Sequence, residues 1–445
     1  VGMGLVLHLV CAGVGLLAHR SLPAGLATLV LLGGVGLAAV LTRPDAGAVD
    51  ALPTVAGVLT GLAVLRRLTP AGSTTADGPG RSPDRSAAAP VPGRRSVLAG
   101  AAGVTALGLL GVVAGRVLAG AGETVRRARE AFRVPAVRSP VTVPAGADQR
   151  VEGQPAFVTD AGEFFRIDTA LAVPQVDPAD WRLRVVGLVE REVELTMADL
   201  LDEELVEALV TLTCVSNPVG GDLVGTAVWT GLPVRELLAR AGPLPEADMV
   251  LSRSVDGFTA GTPLEVLTDD RDALLAVGMN GEPLPPQHGF PARLVVPGLY
   301  GYVSATKWVT ELRVTRFDAD EGYWTPRGWS ARGPVKTASR VDVPRDGGRV
   351  AAGRVVVAGV AWAQHTGIER VEVRVDDGPW QQATLALEPS VDAWRQWRLD
   401  WDAPVGEHSL TVRATDAAGR TQTEQTAPPA PDGATGWHRV TVTVG

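Results

Sequence analysis

The sequence predicts a multidomain chain in three parts: N-terminal transmembrane α-helices, then an α+β domain, then an all-β sandwich. Three observations carry this. Four apolar, Gly/Ala-rich runs fall before about residue 120. From about 151 to 340, short β-rich runs alternate with turns and a few helical stretches. Beyond about 345, strands recur at regular spacing between tight turns. A length of 445 residues is ample for several cores. The net charge of −8 removes any electrostatic case for nucleic acid as a partner.

The apolar runs are 3–18, 22–41, 51–65 and 96–119. A helix needs about 20 apolar residues to span the hydrocarbon core, so the second and fourth suffice and the others become plausible in their company. Small residues every few positions suit helix contact in lipid. Residues 66–95 carry Arg66, Arg67, Arg81, Arg85, Arg94 and Arg95 against Asp77 and Asp84, whereas the 42–50 connection has only Arg43. Positive-inside bias places 66–95 in the cytoplasm and everything after about residue 122 outside. Arg94-Arg95-Ser96-Val97-Leu98 reads either as a twin-arginine export signal or as ordinary flanking charge, and both give this topology. The expected location is a bacterial cell membrane, multi-pass, with membrane lipid as a partner and the part beyond residue 122 extracytoplasmic. The chain opens on Val1 rather than Met, which fits a non-standard start or a trimmed fragment.

In the middle part, residues 181–186 alternate apolar and charged as a strand, and Thr196–Leu201 reads as a short capped helix. Leu232–Ala241 is an amphipathic helix entered through Gly231, and Arg293–Pro297 a short buried strand. This mixture indicates α+β. In the last part, strands are expected at 354–361, 368–375, 382–387, 396–401, 408–414 and 440–444, with turns at Asp376-Asp377-Gly378 and Ala417-Ala418-Gly419. That is the pattern of an immunoglobulin-like sandwich of about a hundred residues.

Chemistry concentrates at one cysteine. Only Cys11 and Cys214 occur, too few and too far apart for a disulfide framework or a thiolate zinc site. Cys214 ends an apolar run and precedes a loop containing Asn217, Pro218, Gly220 and Gly221. Alone, it could be a small core residue, a nucleophile or a metal ligand.

Its surroundings choose between these. In order come Thr213-Cys214-Val-Ser-Asn217, Ala227-Val-Trp229-Thr-Gly231-Leu-Pro-Val, and Met279-Asn-Gly-Glu-Pro-Leu-Pro285. Then follow His288-Gly-Phe-Pro-Ala-Arg293-Leu-Val-Val-Pro-Gly298 and Gly301-Tyr-Val-Ser304-Ala-Thr306-Lys307-Trp308. This series resembles the sulfite oxidase family of molybdopterin enzymes over about 157–340, and the following sandwich resembles that family's dimerisation domain. The implied organisation is a membrane domain at 1–120 with about four helices, a linker at 121–150, a sulfite-oxidase-type molybdopterin domain at 151–342, and an immunoglobulin-like domain at 343–445.

The resemblance implies one molybdenum held by a pyranopterin dithiolene and by the Cys214 thiolate, a soft anionic donor suited to that metal. Arg293 and Lys307 are expected at the pterin phosphate, although either alone reads as a surface charge. Asn217, His288, Ser304 and Thr306 fall at other cofactor-contact positions. Asp168 and Thr169 stand where the family typically has asparagine and histidine, and Arg166 belongs either to an anion pocket or to a solvated strand. Tyr323 is the expected hydrogen-bonding aromatic near the metal. Pro218 replaces an arginine that sulfite oxidases commonly carry after the ligand cysteine, which weakens an oxyanion pocket.

The function expected is molybdenum-dependent two-electron oxo transfer, as a sulfite dehydrogenase or, run in reverse, a reductase of S-oxides or N-oxides such as methionine sulfoxide. A small-molecule oxo donor or acceptor, a separate electron carrier and a homodimer partner are implied. The non-enzyme alternative is a membrane-anchored binding protein.

Overall fold

The computed structural model describes residues 14–18, 21–41, 52–68, 122–168, 170 and 172–445. The chain divides into two compact units, Val1–Gly115 and Arg116–Gly445.

In the first unit, residues 14–18 are helical, and two longer helices cover Leu22–Leu41 and Leu52–Leu68. The two longer helices pack on each other where glycine permits close approach: a Cβ at Gly33 would lie 2.2 Å from Val58. Leu31, Val35 and Leu59 remain more than half exposed. Among the described residues no helix is long and apolar enough to cross a membrane. The Leu52–Leu68 helix shows one reason. Its 17 residues rise about 26 Å, short of the roughly 30 Å required, and include Arg66-Arg67 just before its last residue, Leu68. The predicted fourth run at 96–119 and the Arg94-Arg95 pair lie outside the described residues.

The second unit is built mainly from strands. Its first sheet contains β1 (Arg182–Gly187), β2 (Val193–Thr196), β5 (Met249–Ser254), β6 (Thr259–Pro263) and β10 (Val309–Thr315), in the order β2-β1-β10-β5-β6. Its second contains β3 (Val206–Thr213), β4 (Val224–Pro233), β7 (Leu274–Met279) and β8 (Glu282–Pro283), with β9 (Arg293–Val295) paired to β7. Thr196 caps the helix Met197–Leu201 through a reciprocal bond with Asp199, as the sequence predicts. The predicted helix from Leu232 instead begins at Val234. β4 continues through Gly231 to Pro233, and that proline then opens the helix.

Beyond 337 two sheets face each other. One is β11 (Ala338–Val343), β13 (Gly353–Trp362), β17 (Arg395–Ala403) and β16 (Thr384–Leu385). The other is β12 (Gly348–Val350), β19 (His438–Val444), β18 (Gly406–Asp416), β14 (Ile368–Val375) and β15 (Trp380–Gln382). Val357, Trp397 and Trp401 from one sheet bury against Val371, Val412 and Val442 from the other, which makes a β-sandwich. The predicted strand at 382–387 is split into β15 and β16, one in each sheet.

β3 has no solvent face. Its side chains alternate, as strand geometry requires. Ala208, Val210 and Leu212 enter the core of the α+β part, while Leu209 joins a second cluster with Trp362 and Trp394 of the sandwich.

Candidate active-site cleft

Cys214 follows the last residue of β3, where the β3–β4 pair opens into a loop. The loop closes on itself: Cys214 N–H donates to Leu223 O at 3.0 Å and Asn217 N–H to Cys214 O at 3.1 Å. The Asn217 side chain accepts from Leu223 N–H at 3.0 Å. Asn217 therefore shapes the loop that presents the thiol, and it borders a separate cavity behind the loop together with Pro218.

A cleft with about 1000 Å³ of empty space lies on the other side. Cys214, Asp168, His288, Arg293 and Lys307 all line it. They arrive from four segments. Asp168 comes from the irregular stretch before β1, and Cys214 from the end of β3. The turn Pro286–His288 with β9 brings His288 and Arg293, and the residue pair before β10 brings Lys307. Gly289 makes the crowding possible: its φ is 109°, and a Cβ there would lie 3.0 Å from Arg293 Cβ and 3.1 Å from Lys307 Cβ. Trp308 also holds a left-handed backbone, φ 49°, a conformation costing about 1–3 kcal/mol for a bulky residue. Burial and its indole N–H bond to Pro286 O at 3.0 Å hold it there, beside Lys307.

Arg293 is the unusual group. It is 5% exposed, lies 5.1 Å from the Trp229 ring centroid, and its guanidinium donates only to backbone carbonyls, including His288 O at 3.1 Å. Among the described residues no carboxylate lies within ion-pair range. Burial pushes its pKa down to about 10, so it stays charged at neutral pH. Lys307 pairs with Asp168, which also holds Arg166, and donates to Gln287 O at 3.1 Å. Burial outweighs that carboxylate and brings the Lys307 pKa down to about 8. His288 is lowered to about 4, chiefly by burial and then by Arg293. It is therefore neutral, and because its Nε2 sits 2.9 Å from Ala161 O, that nitrogen carries the proton. Burial raises the Cys214 thiol pKa, and hydrogen bonds from Ser216 oppose the rise.

The other predicted residues lie elsewhere. Ser304 Oγ donates to Tyr300 O at 2.9 Å, and Thr306 Oγ1 lies 2.7 Å from Ser252 Oγ; both are buried in internal bonds away from the cleft lining. Arg166 is half-exposed and reaches the cleft only through Asp168. Tyr323 does not line the cleft; its ring is covered by Arg327 at 3.7 Å. Thr169 lies outside the described residues. Tyr302 lines the cleft, its hydroxyl donating to Ser330 O at 2.7 Å, and with Phe258, Trp324 and Trp329 it forms an aromatic wall. The Gly301-Tyr-Val stretch drew attention as a motif, but nothing in its spacing separates Tyr302 from Tyr323.

The donor set fits a molybdenum pyranopterin: one thiol for the metal, a buried cation without a carboxylate for a phosphate, and Lys307 beside it. Comparison with known proteins agrees. Residues 170–324 match the oxidoreductase molybdopterin binding domain family. The chain is 32% identical over 309 residues to human mitochondrial sulfite oxidase, covering 58% of this chain and 56% of that one. It is 30% identical over 315 residues to Gallus gallus sulfite oxidase, covering 60% and 68%. The crystal structure of the sulfane dehydrogenase SoxCD from Paracoccus pantotrophus aligns with a TM-score of 0.54 and 25% identity, over 66% of this chain and 82% of that one. The chain spans 56–64% of the length of the mammalian sulfite oxidases it matches.

Proposed function

Because the chain belongs to the sulfite oxidase family of molybdopterin oxidoreductases, we propose that the Cys214 cleft catalyses two-electron oxo transfer, sulfite-oxidase-like, on a small molecule. The carrying observation is the convergence of Cys214, Asp168, His288, Arg293 and Lys307 on one cleft. When bound, the molybdenum pyranopterin supplies the oxo transfer and the two-electron storage. The chain's own residues hold and tune it. Arg293 and Lys307 bind its phosphate, and neutral His288 offers Nδ1 as an acceptor while Nε2–H stays on Ala161 O. The raised thiol pKa means that Cys214 ionises only against the metal, so loading releases its proton. Asp168 offsets part of the positive charge of Lys307 and Arg166 in the cation-rich pocket. Electrons leave through a separate carrier.

A second reading, reduction of S-oxides or N-oxides, is favoured by the aromatic wall of Phe258, Tyr302, Trp324 and Trp329 with half-exposed Ile167. That wall offers an apolar body more than it offers a small dianion. Metal-replete protein assayed in both directions separates the readings. Sulfite-dependent reduction of a dye acceptor, lost in Cys214→Ser, supports the first; sulfoxide- or N-oxide-dependent oxidation of a reduced dye supports the second. Purified protein carrying neither molybdenum nor pterin would sink both and leave a binding protein.

We further propose an extracytoplasmic catalytic unit on a multi-pass bacterial membrane anchor, dimerising through an immunoglobulin-like sandwich. Its support is the apolar runs, the arginine-rich 66–95 segment, and the exposed Leu31, Val35 and Leu59. Protease protection in spheroplasts tests the side, and sedimentation in detergent tests the dimer.

A further inference from the structure

We propose that Gln364 and Arg340 of the sandwich are positioning residues for Cys214, holding both ends of the loop that presents its thiol. The inference rests on Cys214 being the metal ligand.

The upstream end is β3. From Leu209 on its odd positions face the sandwich, and two of them, Thr211 and Thr213, carry buried hydroxyls. Gln364, 5% exposed, donates through Nε2 to Thr211 O at 3.1 Å and to Thr213 Oγ1 at 2.9 Å. Thr211 N–H donates to Asp392 O at 2.9 Å, and Trp394 N–H to Thr211 Oγ1 at 2.6 Å. Four sandwich bonds therefore fall within three residues of Cys214.

The downstream end is held independently. Arg340, 7% exposed, donates through Nη1 to Gly221 O at 2.7 Å, while its Nε donates to Asp342 Oδ1 at 2.7 Å. Beside it His438 lies against Gly220, whose φ is 77° and where a Cβ would stand 2.2 Å from the ring Nε2. The His438 ring is itself oriented by Val341 N–H at 3.0 Å.

Between these anchors the loop closes only on itself, so the thiol's direction follows from where the two ends sit. β3 also cannot slide, because a one-residue slip would exchange its core and sandwich faces. Groups that orient a metal ligand from behind typically change affinity or activity about 10–100-fold when removed.

The test compares Gln364→Ala with Gln396→Ala in the full chain carrying Cys11→Ser. Gln396 is a fair control. It is buried in the same sandwich and holds Pro155 O at 2.9 Å and Gln149 N–H at 2.7 Å, away from the cysteine loop. In cofactor-free protein, the Cys214 alkylation rate is expected to rise about tenfold with Gln364→Ala and to stay within twofold with Gln396→Ala. In loaded protein, Gln364→Ala shifts the molybdenum(V) resonance signal and lowers kcat with KM nearly unchanged. Should Gln364→Ala fail to fold, Thr213→Val removes the same bond from the other side. Equal alkylation rates and an unchanged signal in the loaded fraction, with only Tm lowered, would overturn the proposal.

Discussion

Arg293 and Arg340 are buried to nearly the same degree, at 5% and 7% exposure, on opposite sides of the cysteine loop. Arg340 meets a carboxylate, Asp342, and a loop carbonyl. Arg293 meets carbonyls alone, and its charge is left for something else. Burying a cation without a counter-ion costs several kcal/mol, so a fold keeps one where a ligand will complete it. Behind the loop the buried guanidinium has its counter-ion within the protein, although Asp342 Oδ2 and Gln364 Oε1 find no hydrogen-bond partner there among the described residues. The cleft side is unfinished, and that contrast identifies it as the binding side.

The largest effect is expected behind the loop. Arg340→Met strands buried Asp342 and Gly221 O, and should cost about 3–5 kcal/mol in urea unfolding of cofactor-free protein. An effect under about 1 kcal/mol would show that the two arginines do not differ as described. Next comes pH. His288 titrates near 4 in the fold and near 6.5 unfolded, so the unfolded chain takes the proton first as pH falls. Stability is therefore complete above pH 6.5 and declines toward pH 4 by about 1.4 kcal/mol per unit, roughly 3 kcal/mol in all. His288→Gln should flatten that part of the pH profile. Smaller, and opposite in sign to Arg340→Met, Arg293→Met should stabilise cofactor-free protein by about 1–2 kcal/mol while emptying it of pterin. A loss of stability would mean that Arg293 is architectural. Smallest is Tyr302→Phe, which removes one bond to Ser330 O; its cost is about 1 kcal/mol, read as a few-fold change in substrate KM.

Much of the cleft was legible beforehand. The spacing of His288, Gly289 and Arg293 is a local matter of one turn and one short strand, and the family resemblance placed Cys214 and Lys307 beside them. Ser304 and Thr306 match cofactor-contact positions of the family, partly through backbone N–H groups; their hydroxyls are engaged with Tyr300 O and Ser252 Oγ. The family resemblance points to Tyr323, whereas Tyr302 is the tyrosine that lines the cleft, and only tertiary packing decides which ring the cleft receives. The contacts of Gln364 and Arg340 span 151 and 119 residues, distances at which no local pattern operates. Thr211 and Thr213 carried the one available hint: hydroxyls in a strand with no solvent face need partners from somewhere.

The two-sided burial of β3 bears on how such a chain can change over time. A strand with one free face can drift on that side, and the domain behind it can be swapped or lost. Here the strand that ends in the thiol gives alternate residues to two different cores. Grafting another sandwich would therefore mean rewriting Leu209, Thr211 and Thr213 at the same time. The α+β part and the sandwich are packed as one piece through this strand, although they look like two.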